Sequence, residues 1–361
     1  MEYFCGLDVG MDESASCVVD DKGCVVLQTT AVTDPDAIKA ALKPYLGRLR
    51  RLGYEAGSLS PWLHPALLKL GLPAVCLETL HVCAALKAQR NKTDKTDALG
   101  NAHLMRTGWF RKAHIKSEPC YRLRLLLTHR RNLKRKFLDL QNAVRHSLKA
   151  FGIRLNRVGR GCFAHAVRAA VAHDGLVTEL IDAMLNARAA LWKEYCRLHD
   201  LVVKLVAGHE LCRRFMQIPG VGPIAALSFM AAIDDPSRFR RSRDVAAYFG
   251  LTSRRWQSGS SIDVQGRISK AGDGDVRRAL YEAASALLTR YKKDKVKSWG
   301  LMLAQRASHR KATVAVARKL AVIVHAMWVD GTFYCGDPDV PQADLKARTA
   351  AKERKLLGAH A

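Results

Sequence analysis

Ten cysteines are scattered through the sequence, yet there is no Cys-x-x-Cys pair and no His pair at zinc spacing. That excludes a zinc finger or ribbon and leaves reduced, mostly buried thiols in a cytosolic protein as the expectation. No stretch reads as a secretory leader or a membrane span. The most apolar late run, residues 312–329, is interrupted by Arg318, Lys319 and His325, so a soluble helix is expected there. A P-loop signature is missing, and no helix-turn-helix or finger that could read base sequence is evident. Acidic residues are in short supply: 33 Asp and Glu face 59 Lys and Arg, a formal net charge of +26. Solubility does not require such an excess, which points to a polyanion. With no membrane feature beside it, nucleic acid is the expected partner.

What is present suffices for two or three domains: 361 residues, 48% of them apolar. Residues 1–110 hold 12 Lys or Arg and 12 Asp or Glu, so the whole excess lies after them. A neutral unit followed by a cationic one suggests that chemistry and nucleic-acid grip are partly divided between them.

The neutral part opens with the apolar run Tyr3-Phe4-Cys5-Gly6-Leu7, followed by Asp8-Val9-Gly10. Strands are expected over residues 15–19 and 24–32, joined by the turn Asp20-Asp21-Lys22-Gly23. A helix from Asp34-Pro35 is expected to carry Ile38, Leu42, Tyr45 and Leu49 on one face. Short strands at 53–56 and 74–77 then alternate with helices at 61–70 and 80–89. Three hairpin-like strands followed by alternating helices and strands describe an α/β sheet, of which a ribonuclease-H-like fold is one arrangement.

Residues 119–151 read as one long amphipathic helix, with Leu123, Leu126, Leu127, Leu133, Phe137, Leu140, Val144, Leu148 and Phe151 repeating at three and four residues. A second helix over 176–206 is expected to face it with Leu180, Met184, Leu191, Tyr195, Leu198 and Leu205. Gly159 and Gly161 break the segment between them, giving an antiparallel hairpin or coiled coil. Residues 111–152 hold 12 basic residues against Glu118 and Asp139 alone. Arg130, Arg131, Lys134 and Arg135 are therefore candidate nucleic-acid contacts rather than merely a solvated face. The remainder is expected to be mainly helical. In it Ile218-Pro219-Gly220-Val221-Gly222-Pro223 resembles a helix-hairpin-helix turn, whose backbone amides, at Gly220 and Gly222, can hold a phosphate beside Arg238, Arg240, Arg241 and Arg243. The expected domains are 1–110, 111–211 and 212–335, with a polar tail over 336–361.

Two constellations could carry chemistry. Asp8 and Glu55 each end a short strand, and Asp94 and Asp97 open a helix three residues apart, hence on one face of it. Four acids can share a small site only if cations compensate them, and two Mg2+ ions about 3.5–4 Å apart would do so while activating a nucleophile at phosphorus. Taken singly, Asp8 could instead cap a turn, and Asp94 and Asp97 could be acids favoured by a helix dipole. The second constellation is Gln257-Ser258-Gly259-Ser260-Ser261, followed by Gly266-Arg267-Ile268-Ser269-Lys270-Ala271-Gly272 and Arg277. A serine beside glycine can present its hydroxyl to a phosphate that Arg267, Lys270 and Arg277 would neutralise. The plainer reading is a polar loop between a hairpin and a helix.

Gly6-Leu7-Asp8-Val9-Gly10, Glu55-Ala56-Gly57, Lys92-Thr93-Asp94-Lys95-Thr96-Asp97-Ala98, Ile218 to Pro223, Tyr248-Phe249-Gly250-Leu251-Thr252, Gln257-Ser258-Gly259 and Gly266 to Gly272 occur in one order. Together they resemble the DEDD-type insertion-sequence transposases, relatives of the pilin-gene invertases, over residues 1–335. The resemblance implies a RuvC-like, ribonuclease-H-fold domain with Asp8, Glu55, Asp94 and Asp97 as metal-binding acids. It also implies Ser258 as a nucleophile that joins to a DNA end, a structured bridge RNA that pairs with donor and target DNA, and a tetramer at work in the bacterial cytoplasm on the nucleoid. Two departures stand out. Glu55 sits in Glu-Ala-Gly-Ser where many relatives have Glu-Ala-Thr-Gly, and Ser260 and Ser261 offer neighbouring hydroxyls. A metal-dependent nuclease or junction resolvase without a covalent serine is the competing expectation. A non-enzymatic packaging protein would leave the neutral acidic unit without a purpose.

Overall fold

The computed structural model describes residues 1–87, 91–156, 158–259, 261–291 and 294–336. The chain forms two compact units, Met1–Glu118 and Pro119–Ala361. The first contains β1 (Tyr3–Val9), β2 (Glu13–Asp20), β3 (Val25–Val32), α1 (Pro35–Ala41), β4 (Leu49–Glu55), α2 (Ser60–Lys69), β5 (Ala74–Leu77), α3 (Thr79–Leu86) and α4 (Asp94–Thr107). The sheet order is β3-β2-β1-β4-β5; β2 is antiparallel to both β1 and β3, and β4 runs parallel to both β1 and β5.

Alternation along the strands supplies two apolar faces, and helices cover both. Cys5, Leu7, Leu52, Tyr54 and Cys76 pack against Ile38 and Leu42 and against Leu63 and Leu67 of α2. Phe4, Cys17, Val19 and Leu77 pack against Val82 of α3 and Ala98, Ala102, Leu104 and Met105 of α4. The helix expected to run from Asp34 through Leu49 is shorter. Asp34 does cap it, accepting from the amides of Asp36 and Ala37 at 3.0 Å. Pro44 then intervenes, with no N–H to give and a ring that disfavours helix before it. Residues Lys43–Arg48 form a 3-10 turn, and Leu49 opens β4. The α3 helix ends at Leu86, and Gln89, its expected end, lies outside the described residues.

The second unit begins with α5 (Glu118–Ser147), α6 (Phe163–Val171) and α7 (Gly175–Gly208). The first and last of these run antiparallel. Arg130 meets Tyr195 and His199, Phe137 meets Trp192, and Gln141 meets Arg188, the partner numbers falling as α5 advances. The seam differs from the expected one. Leu180 is 60% exposed and Leu205 39%, whereas Val177, Ile181, Leu185, Arg188, Tyr195, Val202 and Val206 are buried. Arg188 explains the shift. Its guanidinium lies 4.3 Å from the Phe137 ring and 4.7 Å from Phe163, a cation sandwiched between two rings on a face expected to be lined by apolar side chains. The segment between the long helices was expected to be broken by glycines, but after Gly161 it holds α6, whose Phe163, Val167 and Val171 recur at four residues and are fully buried.

Beyond the hairpin come α8 (Glu210–Phe215), α9 (Pro223–Ile233), α10 (Ser242–Tyr248), β6 (Ser253–Ser258), β7 (Ile262–Ile268), α11 (Gly274–Arg290), α12 (Lys295–Arg306) and α13 (His309–Val329). The α9 helix is apolar all round and central, with Ala225 through Ile233 buried. The α13 helix is long and apolar enough by composition to cross a membrane. Its apolar side is spent on the core of this unit, where Val316, Leu320 and Val324 are buried. His325 is buried too, bonded to Ser242 Oγ at 3.0 Å and to the Pro236 carbonyl at 3.1 Å.

Candidate functional site

The acidic site is positioned by two glycines and one helix. Gly6 and Gly53 lie side by side on parallel β1 and β4. A Cβ at Gly6 would sit 2.1 Å from the Ala98 carbonyl oxygen of α4, and one at Gly53 would sit 2.5 Å from Met105 Sδ. Only bare backbone lets α4 press this closely on the sheet. The Asn101 side chain then reaches across and donates to the Leu7 carbonyl at 2.9 Å. Two residues on from each glycine, with the period of a strand, Asp8 and Glu55 fall on the same α4-covered face at the carboxyl ends of their strands. Open α/β sheets place their ligands outside that edge.

The α4 helix starts beside it. Thr93 caps the helix, taking the Thr96 amide at 3.2 Å while Thr96 Oγ1 accepts from the Thr93 amide at 2.9 Å. That box puts Asp94 and Asp97 in the first turn, where the helix dipole favours them. Burial raises the Asp8 carboxyl above its ordinary range, and Asp94, Asp97 and Glu55 push it the same way, while Lys92 opposes them. Asp8 and Glu55 also line one open cavity with Gly10, Met11 and residues 57–60. The four acids therefore share one electrostatic neighbourhood. Among the described residues, however, no three His, Cys, Asp or Glu side chains approach closely enough to hold a metal ion. Lys92, 3.8 Å from Asp97, was only part of a motif in the sequence, and its opposing charge follows from its place just before the helix cap.

In the second unit Ser258 closes β6 opposite Ile262, on an exposed two-stranded hairpin. Gly259 follows it with φ +56°, and Ser261 lies in the same turn, while Ser260 is outside the described residues. Arg255 and Asp263 bridge the strands at 2.6 Å. The segment after the hairpin folds back on the end of α10. Ser269 donates to Thr252 at 2.9 Å, Lys270 to Gly250 at 3.1 Å, and Arg277 Nη1 to the carbonyls of Phe249 at 3.0 Å and Ala271 at 2.8 Å. Lys270 is held in a left-handed backbone conformation, φ +56°, that a residue with a Cβ seldom adopts.

The other candidate contacts divide by what they touch. Arg267 and Lys270 are exposed, whereas Arg277 is spent on the loop. Arg130 faces into the helical hairpin, donating to Tyr195 Oη at 2.7 Å and to His199 at 3.2 Å. Arg131 is ion-paired with Asp275 of α11. Lys134 and Arg135 are exposed beside it and line an open cavity with Arg131, Leu138, Asp139, Asn142, Asp275 and Arg278. Gly220 has φ +90°, and a Cβ there would lie 2.3 Å from the Ala283 carbonyl oxygen, so packing against α11 already requires this glycine. Gly222 is the residue before α9, extended and with open space beside it.

Two family models match the chain: a DEDD-type model described as Transposase over residues 5–153, and one described as Transposase IS116/IS110/IS902 family over residues 212–298. The transposase for insertion sequence element IS1111A of Coxiella burnetii is 28% identical over 342 residues, covering 92% of this chain and 91% of that one. A putative transposase of Sinorhizobium fredii is 30% identical over 270 residues, 73% of this chain and 67% of its own. The pilin gene-inverting protein of Moraxella bovis is 31% identical over 111 residues, 30% of this chain and 34% of its own. A Thermus thermophilus RuvC structure overlaps 31% of this chain and 99% of its own, at 17% identity and a TM-score of 0.24, too slight an overlap to argue from.

Proposed function

The chain belongs to the IS116/IS110/IS902 family of transposases and is a DNA transposase or recombinase, and from that premise we propose that it cuts and rejoins DNA with a carboxylate site on its first unit and the Ser258 hydroxyl on its second. The observation that carries the first half is the convergence of Asp8 and Glu55, each two residues beyond a glycine, under the helix that opens with Asp94 and Asp97. The strand order β3-β2-β1-β4-β5 supports a ribonuclease-H-like reading of that unit.

DEDD transposases use divalent metal. Carboxylate oxygens alone form a hard-cation donor set, which suits Mg2+. The Asp8 carboxyl, raised first by burial and then by its acidic neighbours, sits where such an ion would compensate the gathered negative charge. Bound there, the ion would neutralise charge on a phosphate and lower the pKa of a hydroxyl. The chain's own part is to hold Asp8 and Glu55 at one sheet edge, with Asp94 and Asp97 in the first turn of the neighbouring α4, and to present Ser258 at the tip of a hairpin.

Ser258 Oγ attacks a backbone phosphorus, one P–O bond forms and the P–O bond to deoxyribose breaks. The serine proton is released and the departing DNA end takes up a proton as a hydroxyl. One phosphodiester replaces another, so rejoining needs no nucleotide hydrolysis, in keeping with a sequence that shows no P-loop. On this reading Lys270, Arg267 and the amides near Gly222 contact phosphates, and Lys134 and Arg135 on the exposed face of α5, beside half-buried Arg131, grip nucleic acid. A guide RNA supplying sequence choice by base pairing, and a tetramer as the working assembly, belong to the same reading, in a soluble cytoplasmic protein.

The test is denaturing electrophoresis of labelled DNA after reaction with Mg2+. Wild type and Ser261→Ala should carry a covalent label that maps to Ser258, and Ser258→Ala should carry none while still binding DNA. Cleavage by wild type without any adduct would replace this reading by that of a metal-dependent nuclease.

A further inference from the structure

The α5 helix has two occupied faces. One packs against its own hairpin through Phe137, Gln141 and Val144, with Leu148 buried just past its end. The other carries Arg131, Lys134, Arg135, Leu138, Asn142, Arg145 and His146, at the three- and four-residue spacing of a single stripe, and Lys149 follows in the 3-10 turn just past its end. Two open cavities lie along this stripe and share Asn142, so they are consecutive. They differ in charge balance. The first, at Arg131–Arg135, contains Asp139 and Asp275, and Asp275 is engaged by both Arg131 and Arg278. The second is lined by Asn142, Arg145, His146, Lys149, Ile153, Arg154 and Leu155, with no carboxylate among them.

Within the second cavity the groups are arranged rather than merely adjacent. Arg145 Nη1 donates to the carbonyls of Leu155 at 3.1 Å and Asn156 at 3.2 Å, and its guanidinium lies 5.0 Å from the Phe163 ring. This fixes one cation on the cavity wall. Among the described residues, the side chains of His146, Lys149 and Arg154 make no hydrogen bond or ion pair, and all three residues are exposed. Cations gathered around one cavity without a counter-charge repel one another, and an anion that enters relieves all of them together. Asn142 adds a neutral donor of the kind that contacts phosphate oxygens.

We propose that this cavity at the end of the helical hairpin is a second anchor for nucleic acid, taking a backbone phosphate between Arg145, Lys149, Arg154 and Asn142. Within it Arg145 lies about 16 Å along the helix from Lys134 of the first cavity, eleven residues on at roughly 1.5 Å each. The inference rests on the reading that the exposed face of α5 grips nucleic acid and extends that grip to residues 142–155. The ligand chemistry is the phosphodiester, which duplex DNA and folded RNA both present.

The experiment titrates the full chain with a labelled DNA duplex and, separately, with a labelled RNA hairpin, across a salt series. Lys149→Glu with Arg154→Glu should weaken binding about five-fold near 0.15 M salt for each phosphate no longer neutralised, and flatten the log–log salt slope by roughly 0.9 on duplex. Lys149→Gln with Arg154→Gln should give a smaller loss in the same direction. Arg145 is left intact because it supports the cavity wall, and an unchanged melting temperature verifies folding. A loss with DNA, with RNA or with both supports the anchor and says which source supplies the phosphate. Affinity and slope unchanged with both ligands would overturn it. Charge reversal at Lys134 and Arg135 separates the two ideas. If that pair weakens binding and the Lys149–Arg154 pair does not, the grip stands and the second anchor falls. If neither does, both fall.

Discussion

Replacing Gly6 by alanine tests whether the acidic site is built by backbone contact between β1 and α4. The new Cβ would lie 2.1 Å from the Ala98 carbonyl oxygen, 2.3 Å from the Ala102 nitrogen and 2.8 Å from the Asn101 carbonyl carbon. All three are backbone atoms of one helix, so no side chain can swing aside and the helix itself must move. Overpacking of a fixed core costs about 1–3 kcal/mol, and a move of this kind also breaks the bond from buried Asn101 to Leu7, whose loss adds about 1–3 kcal/mol. The sum, about 2–6 kcal/mol, is a large share of the roughly 5–15 kcal/mol that holds a domain together. Calorimetry should show the unfolding of the first unit falling by at least ~10 °C. Gly47→Ala, where an added Cβ meets nothing within 4 Å, should leave it in place. A Gly6→Ala protein melting within ~2 °C of wild type would refute the reasoning, because the helix would then not need the glycine.

Asp8→Asn should stabilise the metal-free protein at neutral pH. A carboxyl raised by burial and like charge contributes stability below the ordinary carboxylate range and loses it as pH rises through the raised value, so the gain should shrink as pH is lowered towards about 4. Melting curves over that range check the sign. Mg2+ should raise the melting temperature of wild type more than that of Asp8→Asn, and an equal rise in both would place the ion elsewhere. Lys270→Gly should relieve the left-handed backbone and raise stability by roughly 1 kcal/mol in denaturant unfolding, while loss of the charge should weaken DNA binding as the phosphate role requires. Arg277→Met should remove the bonds to Phe249 and Ala271 and cost about 2–4 kcal/mol of unit 2 stability, read by urea unfolding.

The strands, and the places of the four acids at strand ends and at a helix start, were legible because each lies in a short apolar run that stops at a carboxylate or in a capped helix start, local patterns that need no knowledge of the partner strand. The end of the first helix was not. Leu42, Tyr45 and Leu49 keep a helical spacing straight across Pro44, and periodicity hid the proline. The face of α7 was misjudged for a different reason. Leu180 and Leu205 were assigned to the seam, while the buried face includes Arg188, whose partners Phe137 and Phe163 are 51 and 25 residues away in sequence. Charge density marked α5 as basic but could not tell Arg130, turned inward onto Tyr195, from Lys134, turned outward. The carbonyl-binding role of Arg277 depends on a loop that returns to Phe249, and no motif announces it.

A ribbon of two strands with, among the described residues, no further strand on either outer edge is a ready template for a third. Here that ribbon also shows Trp256, Ile262 and Val264, each about half exposed. What keeps two such ribbons apart is charge of one sign, since Arg254, Arg255 and Arg267 outnumber Asp263 along the strands. Screening shortens from about 8 Å at physiological salt to about 3 Å at 1 M. The high salt that strips nucleic acid from so basic a protein therefore also removes the repulsion between ribbons. Freed chains should self-associate through β6 and β7 as the ionic strength rises, and light scattering should show the effect diminished by Trp256→Lys.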